Sequence, residues 1–243
     1  KLRLTGFIET LQVRTDQAQQ DSLTHQEWLS LLLQDEQQRR ENHMLKRRLS
    51  TARFEQLQTF EGLEVKNYNI KVQQKIRDLK CGHYLNENKH VIIMGPTGTG
   101  KTHLAQALGH NACRQGKNVR FIRSSLMFRE LYASRADNRW EQTFKRLKVP
   151  DLLIIDDFGL TEMNNIQAEE MYELIAERHL KSSFIITSNR NIESWVELFP
   201  EAIMGNAALD RLAHNSYQLI LECDSYRRMN KPKIGGEEMK NID

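Results

Sequence analysis

The stretch GPTGTGKT, Gly95 to Thr102, constrains this chain more than any other. An apolar run, Val91-Ile92-Ile93-Met94, precedes it, and the helix-forming residues His103-Leu104-Ala105-Gln106-Ala107-Leu108 follow it. Strand, glycine loop and helix in that order is the setting in which a G-x-x-x-x-G-K-[ST] match makes a phosphate-binding loop. Gly95, Gly98 and Gly100 let the backbone turn tightly and aim its N–H groups inward, and Pro96, Thr97 and Thr99 complete the loop. The N-terminus of the following helix adds partial positive charge. Lys101 is placed to reach the β- and γ-phosphates, and the Thr102 hydroxyl to ligate Mg²⁺. A nucleoside triphosphate is the expected ligand.

The other strands follow from apolar runs bounded by turn residues. After the turn Gly116-Lys117-Asn118 comes Val119-Arg120-Phe121-Ile122, and after Pro150 comes Leu152-Leu153-Ile154-Ile155 ending in Asp156-Asp157. A helix over 164–181 then leads to Phe184-Ile185-Ile186-Thr187-Ser188-Asn189, and a last strand spans Tyr217 to Leu221. Continuous apolar runs alternating with helices predict a buried parallel sheet built from right-handed crossovers. Acidic residues at the carboxyl edge of such a strand face the phosphates. Asp156 is placed to hold the Mg²⁺ shell and Asp157 to polarise the attacking water. Asn189 has two readings: a side-chain amide on the γ-phosphate or water, or, like Asn191, a cap for the helix over 192–198. Arg211 also has two: a residue supplied to another subunit's site, or half of a surface ion pair with Asp210.

The N-terminal 60 residues read as helical throughout, rich in Gln, Leu, Glu and Arg, with Gly6 and no proline. Thr24-His25-Gln26-Glu27 has the spacing of a capping box. Too few residues are present there to bury much surface alone, so a small helical module that docks on the main domain or on a partner is expected over 1–58. Residues 59–88 are a connector with a helix around Val72 to Leu79, and 89–243 form the nucleotide domain.

The net charge of +3 is modest, but two stretches are strongly basic. From Arg39 to Arg53 six basic residues face one acid, and from Arg123 to Lys148 seven face three. Both are candidates for a polyanion, with solvated helix faces as the other reading. The candidate DNA contacts are Lys46, Arg47 and Arg48 in the first stretch, and Arg123, Arg135, Arg139, Lys145, Arg146 and Lys148 in the second. No apolar run approaches the roughly 18–20 residues needed to cross a bilayer. Cys81, Cys113 and Cys223 are scattered and lack a C-x-x-C pair, which fits a reducing cytoplasm.

With the phosphate loop, IIDDFG, ITSN and LDRL in that order, the chain resembles the AAA+ ATPases of the helicase-loader branch. It is most similar to the IstB-like helper ATPases of insertion-sequence transposition, through ENHMLKRRLSTARF (41–54), ALGHNACRQGKNVRF (107–121) and IIDDFG (154–159). The resemblance implies Gly95–Thr102 as Walker A, Asp156 and Asp157 as Walker B, and Asn189 as sensor 1. It further implies Arg211 as the arginine finger and Arg227 as sensor 2. It implies a slow, DNA-coupled ATPase using ATP and Mg²⁺, assembling with ATP into a homo-oligomer on duplex DNA and stimulating a transposase. The alternative within the same branch is a replicative helicase loader of the DnaC type. Two departures stand out: Asp157 replaces the glutamate most relatives carry, and residues 212–243 are too few for the usual helical lid, which is expected to be reduced or absent.

Overall fold

The structure is a computed structural model that describes residues 4–63 and 65–222. The chain divides into two compact units, Lys1–Ala52 and Arg53–Asp243. The first contains α1, Thr5–Gln20, and α2, His25–Ala52, which fold back on each other across a tight turn. The capping box forms as the spacing predicts. The Thr24 N–H donates to Glu27 Oε2 at 2.8 Å and the Glu27 N–H to Thr24 Oγ1 at 3.3 Å. A buried carboxylate, Glu36, accepts the Gly6 N–H at 2.7 Å, and Arg14 grips Asp35 with two bonds of 2.8 Å. The first of these satisfies an orphan N–H of the first turn of α1.

Helix does not continue to residue 60. It ends at Ala52, Arg53 adopts a left-handed conformation with φ 57°, and Phe54 packs 6.3 Å from the Phe121 ring. The tertiary anchor at Phe54 overrides a helix-compatible composition. After two short 3-10 helices, Phe60–Gly62 and Val65–Asn67, come α3, Ile70–Lys80, capped by Asn69 through the Val72 N–H, and the short α4, His83–Asn86.

The second unit is built on five parallel strands: β1 His90–Met94, β2 Val119–Arg123, β3 Leu152–Phe158, β4 Ser183–Ser188 and β5 Ser216–Ile220. Their order across the sheet is β2-β3-β4-β1-β5. Helix α5, Lys101–Arg114, follows β1; α6, Ser124–Ala136, and α7, Trp140–Lys148, follow β2; α8, Asn165–Arg178, follows β3; a 3-10 helix, Ile192–Leu198, and α9, Ala202–Ala213, follow β4. Every residue of β1 and β4 is buried. Sheets covered on both faces demand such continuous apolar runs, so the sequence reading of a parallel sheet flanked by helices holds. The order places β4 between β1 and β3, so the residues leaving all three at their carboxyl ends converge.

One charge is buried where no function is expected. Arg178, fully inaccessible, donates to the carbonyls of Leu147, Lys148, Pro150 and Ser183 at 2.6–3.0 Å. Burial pulls its pKa down to about 9. The guanidinium thereby satisfies carbonyls left over at the end of α7 and fixes the entry into β3. Arg227, and any lid, lie outside the described residues.

Candidate functional site

The glycine-rich loop links β1 to α5, the strand–loop–helix order that the motif predicts. Gly95 has φ 148°, and a Cβ there would lie 2.4 Å from the Leu221 carbonyl oxygen. Gly100 has φ 87°, and a Cβ there would lie 2.6 Å from the Tyr68 hydroxyl. Both positions therefore require glycine, one for close backbone approach and the other also for its left-handed turn. The Tyr68 hydroxyl donates to the Thr99 carbonyl at 2.9 Å, pinning the loop from the connector side. Lys101, at the start of α5, is buried and donates to the Gly95 and Pro96 carbonyls, both at 2.8 Å.

Asp156 is the centre of the polar network. It is 1% exposed and accepts the Thr102 hydroxyl at 3.0 Å and the Thr187 hydroxyl at 2.6 Å. Burial pushes its pKa above the ordinary carboxylate range. The Thr187 hydroxyl opposes the shift, the neighbouring Asp157 charge adds to it, and Thr102 opposes it. A divalent cation would relieve that unfavourable burial. Thr102 and Asp156 are hard oxygen donors of the kind that hold Mg²⁺, which takes few protein ligands and completes its shell with water and phosphate. Consistently, among the described residues no group of three or more His, Cys, Asp or Glu could hold a metal ion by itself.

Consecutive residues of a regular strand face opposite sides of a sheet, yet Asp156 and Asp157 line one cavity. The cause is local. The pairing of β3 with β4 is irregular between Ile155 and Phe158, and Asp157 turns left-handed with φ 55°. Its N–H donates to Thr187 Oγ1 at 3.0 Å, and its carbonyl accepts the Ser124 hydroxyl at 2.8 Å. Thr187 thus spans both acids. Aspartate tolerates the left-handed region better than most residues.

That cavity, of 550 Å³, gathers residues distant in sequence. The loop contributes Thr97 to Thr102, the strand ends contribute Arg123, Asp156, Asp157 and Asn189, the segment after α2 contributes Glu55 and Gln58, and the connector contributes Asn67 and Tyr68. Asn189 is exposed to it, immediately beyond β4, while Asn191 sits at the cap position of the 3-10 helix without a side-chain bond. Sequence reasoning missed Thr187, Tyr68 and Glu55. The buried hydroxyl in an otherwise apolar strand was the available signal for Thr187; the other two are brought in by tertiary contacts alone.

Arg211 does not line this cavity. It lies on α9 with its guanidinium 5.0 Å from the Tyr172 ring centroid and Nη1 buried without a hydrogen-bond partner among the described residues. Asp210 meets His214 at 2.9 Å instead of Arg211. The basic stretches are also less uniform than their composition. Lys46, Arg47 and Arg48 lie on α2, but Arg123 points into the cavity and pairs with Glu55. Arg135 binds Glu170 at 2.8 Å, Arg139 pairs with Asp137 and Lys148 with Glu177. Lys145 and Arg146 are exposed in the last turn of α7 and make no ion pair among the described residues. No helix among the described residues is long and apolar enough to cross a membrane.

A model of the family described as IstB-like ATP binding protein matches residues 1–234. An insertion-sequence ATP-binding protein of Mycobacterium tuberculosis is 38% identical over 95% of this chain and 92% of its own length. The IS21 ATP-binding protein of Pseudomonas aeruginosa is 33% identical over 96% of this chain and 86% of its own. Among solved structures, the DnaC helicase loader matches with TM-score 0.56 and 22% identity, covering 70% of this chain and 99% of that one. The replication initiator DnaA bound to AMPPCP and single-stranded DNA gives 0.60 and 19%, covering 71% and 52%. At those identities the likeness to the two replication proteins is one of fold.

Proposed function

The chain belongs to the IstB-like ATP-binding family, and from that premise we propose that it is an ATP-hydrolysing, DNA-binding oligomer that assists the transposase of an insertion sequence. The observation that carries the enzymatic half is the bond of Thr102 to Asp156 in one cavity with Asp157 and Asn189. In this reading Lys101 holds the β- and γ-phosphates, while Thr102 and Asp156 hold Mg²⁺, which supplies charge neutralisation at the phosphates. Asp157 orients the attacking water and Asn189 its approach to the γ-phosphate. The transposition half rests on the insertion-sequence relatives, which match nearly the whole chain.

Arg211 lies outside its own subunit's cavity, which supports a role at a neighbour's. Mixing Lys101→Ala with Arg211→Ala chains, each inactive alone, is then expected to restore part of the hydrolysis, because some interfaces pair an intact loop with an intact arginine. Mixed chains that assemble normally yet show no recovery at any ratio would count against a role in trans.

Duplex DNA is expected to bind through its phosphates, more tightly with ATP than without. Lys145 and Arg146, which are not neutralised by ion pairs among the described residues, carry this expectation in the second unit, and Lys46 and Arg47 in the first. Every phosphate that a subunit neutralises adds about 0.9 to the steepness with which log affinity falls against log salt. Replacing Lys145 and Arg146 by alanine should therefore flatten that slope and leave ATP binding alone. An unchanged slope with ATP present would remove α7 from the DNA-binding face.

A further inference from the structure

Arg123 belongs to a basic stretch by sequence but not by position. It ends β2, and its Cα is paired in register with that of Asp156 on β3. Its side chain therefore starts from the edge of the sheet that carries both acids, and it lines the same cavity as Lys101. There Nη2 donates to Glu55 Oε2 at 2.5 Å. Glu55 lies three residues beyond the end of α2, and is a third carboxylate on the cavity wall beside Asp156 and Asp157. Its charge reaches Asp156, where it adds to the upward push on the buried carboxyl.

We propose that Arg123 is a second phosphate-binding cation of the nucleotide site, which Glu55 and the terminal phosphate of a nucleoside triphosphate compete to hold. A triphosphate takes Arg123 and frees Glu55; a diphosphate, one phosphate shorter, leaves the pair intact. This rests on the nucleotide-site reading above. Three observations favour the exchange. The side chains of the pair are 51% and 38% exposed, and an ion pair that wet stabilises little and is readily given up. A guanidinium binds phosphate through a planar fork that a carboxylate partner does not use up. The segment carrying Glu55 is also fastened nearby, since the Gln56 N–H donates to Gln106 Oε1 on α5 at 3.1 Å and Tyr68 bonds to Thr99. Release of Glu55 is thus felt by the segment that follows α2 and is tied to the phosphate loop and α5. The state of the γ-phosphate is communicated to the segment between α2 and the connector.

The test is the ratio of ATP to ADP affinity, measured with Mg²⁺ by calorimetry on the full chain. Arg123→Ala should weaken ATP binding roughly tenfold or more, the scale of a charged hydrogen bond, and leave ADP binding within about twofold. Arg123→Lys should recover part of the difference. Glu55→Gln, which removes the competitor, should tighten ATP severalfold without changing ADP, and that gain should vanish in the Arg123→Ala background. Hydrogen exchange of residues 53–58 should rise with ATP over ADP in the unmodified chain and not in Arg123→Ala. An ATP-to-ADP ratio unmoved by Arg123→Ala, or a loss of ATP affinity in Glu55→Gln, overturns the proposal. Lys101→Ala separates the two readings. If it abolishes nucleotide binding while the Arg123 and Glu55 variants leave the ratio unchanged, only the exchange falls. If it binds ATP normally, the site itself is misassigned and the exchange falls with it.

Discussion

Lys101→Ala is expected to reduce ATP affinity by two or more orders of magnitude. The ammonium is buried within the loop and donates to the Gly95 and Pro96 carbonyls, so a phosphate entering the loop competes for donors already aimed at its centre. Each hydrogen bond from a charged donor to a phosphate oxygen contributes about 1.5–3 kcal/mol. Removing the bonds to two phosphates costs roughly 3–6 kcal/mol, or about a hundredfold to ten-thousandfold in affinity. The variant also lacks the two bonds to the loop, so thermal melting without nucleotide should be recorded alongside. Affinity close to that of the unmodified chain, in a protein that still melts cooperatively, would take Lys101 out of this role.

Asp157→Asn should leave ATP affinity within a few-fold and slow turnover by about a hundredfold to ten-thousandfold, the usual contribution of a positioned proton acceptor. The choice of asparagine is dictated by the backbone. At φ 55° asparagine is as comfortable as aspartate, so the carbonyl that accepts from Ser124 and the N–H that donates to Thr187 stay in place. Asp156→Asn should behave differently. Its carboxylate, buried and shared by two hydroxyls, is proposed as the Mg²⁺ ligand, so the defect should appear in Mg²⁺-dependent binding before it appears in turnover. Hydrolysis at an undiminished rate in Asp157→Asn would move the water-orienting role to another group, with Glu55 the cavity carboxylate among the described residues that holds no assigned role in hydrolysis.

Much of the fold was legible because its signals are local. Four consecutive apolar residues, followed by Gly95 in one case and by Asp156 in the other, mark the buried strands β1 and β3, and the Gly95–Thr102 pattern announces the turn between β1 and α5. The capping box at Thr24 is equally local and forms as read. What was illegible depends on contacts across tens of residues. Nothing around Glu55 or Tyr68 reveals that the segment after α2 and the connector line the cavity, because the anchors are Phe121, Gln106 and Thr99 far along the chain. Arg123 shows the same limit, since its place on the cavity wall beside Glu55 has no local signal. Seven basic residues close in sequence suggested one surface, but alternation and helix rotation distribute them, and Asp137, Glu170 and Glu177 neutralise three of them.

The irregularity in β3 has a bearing on how this protein tolerates change. Between Ile155 and Phe158 the strand advances three residues while β4 advances two, so the chain carries one supernumerary residue at the point where its two acids reach the cavity. Substitutions there alter chemistry by degrees, but a one-residue deletion would restore a regular ladder and turn one carboxylate to the far face. The site is thus protected less by the identity of its neighbours than by a count. Insertions and deletions at this point are all-or-none.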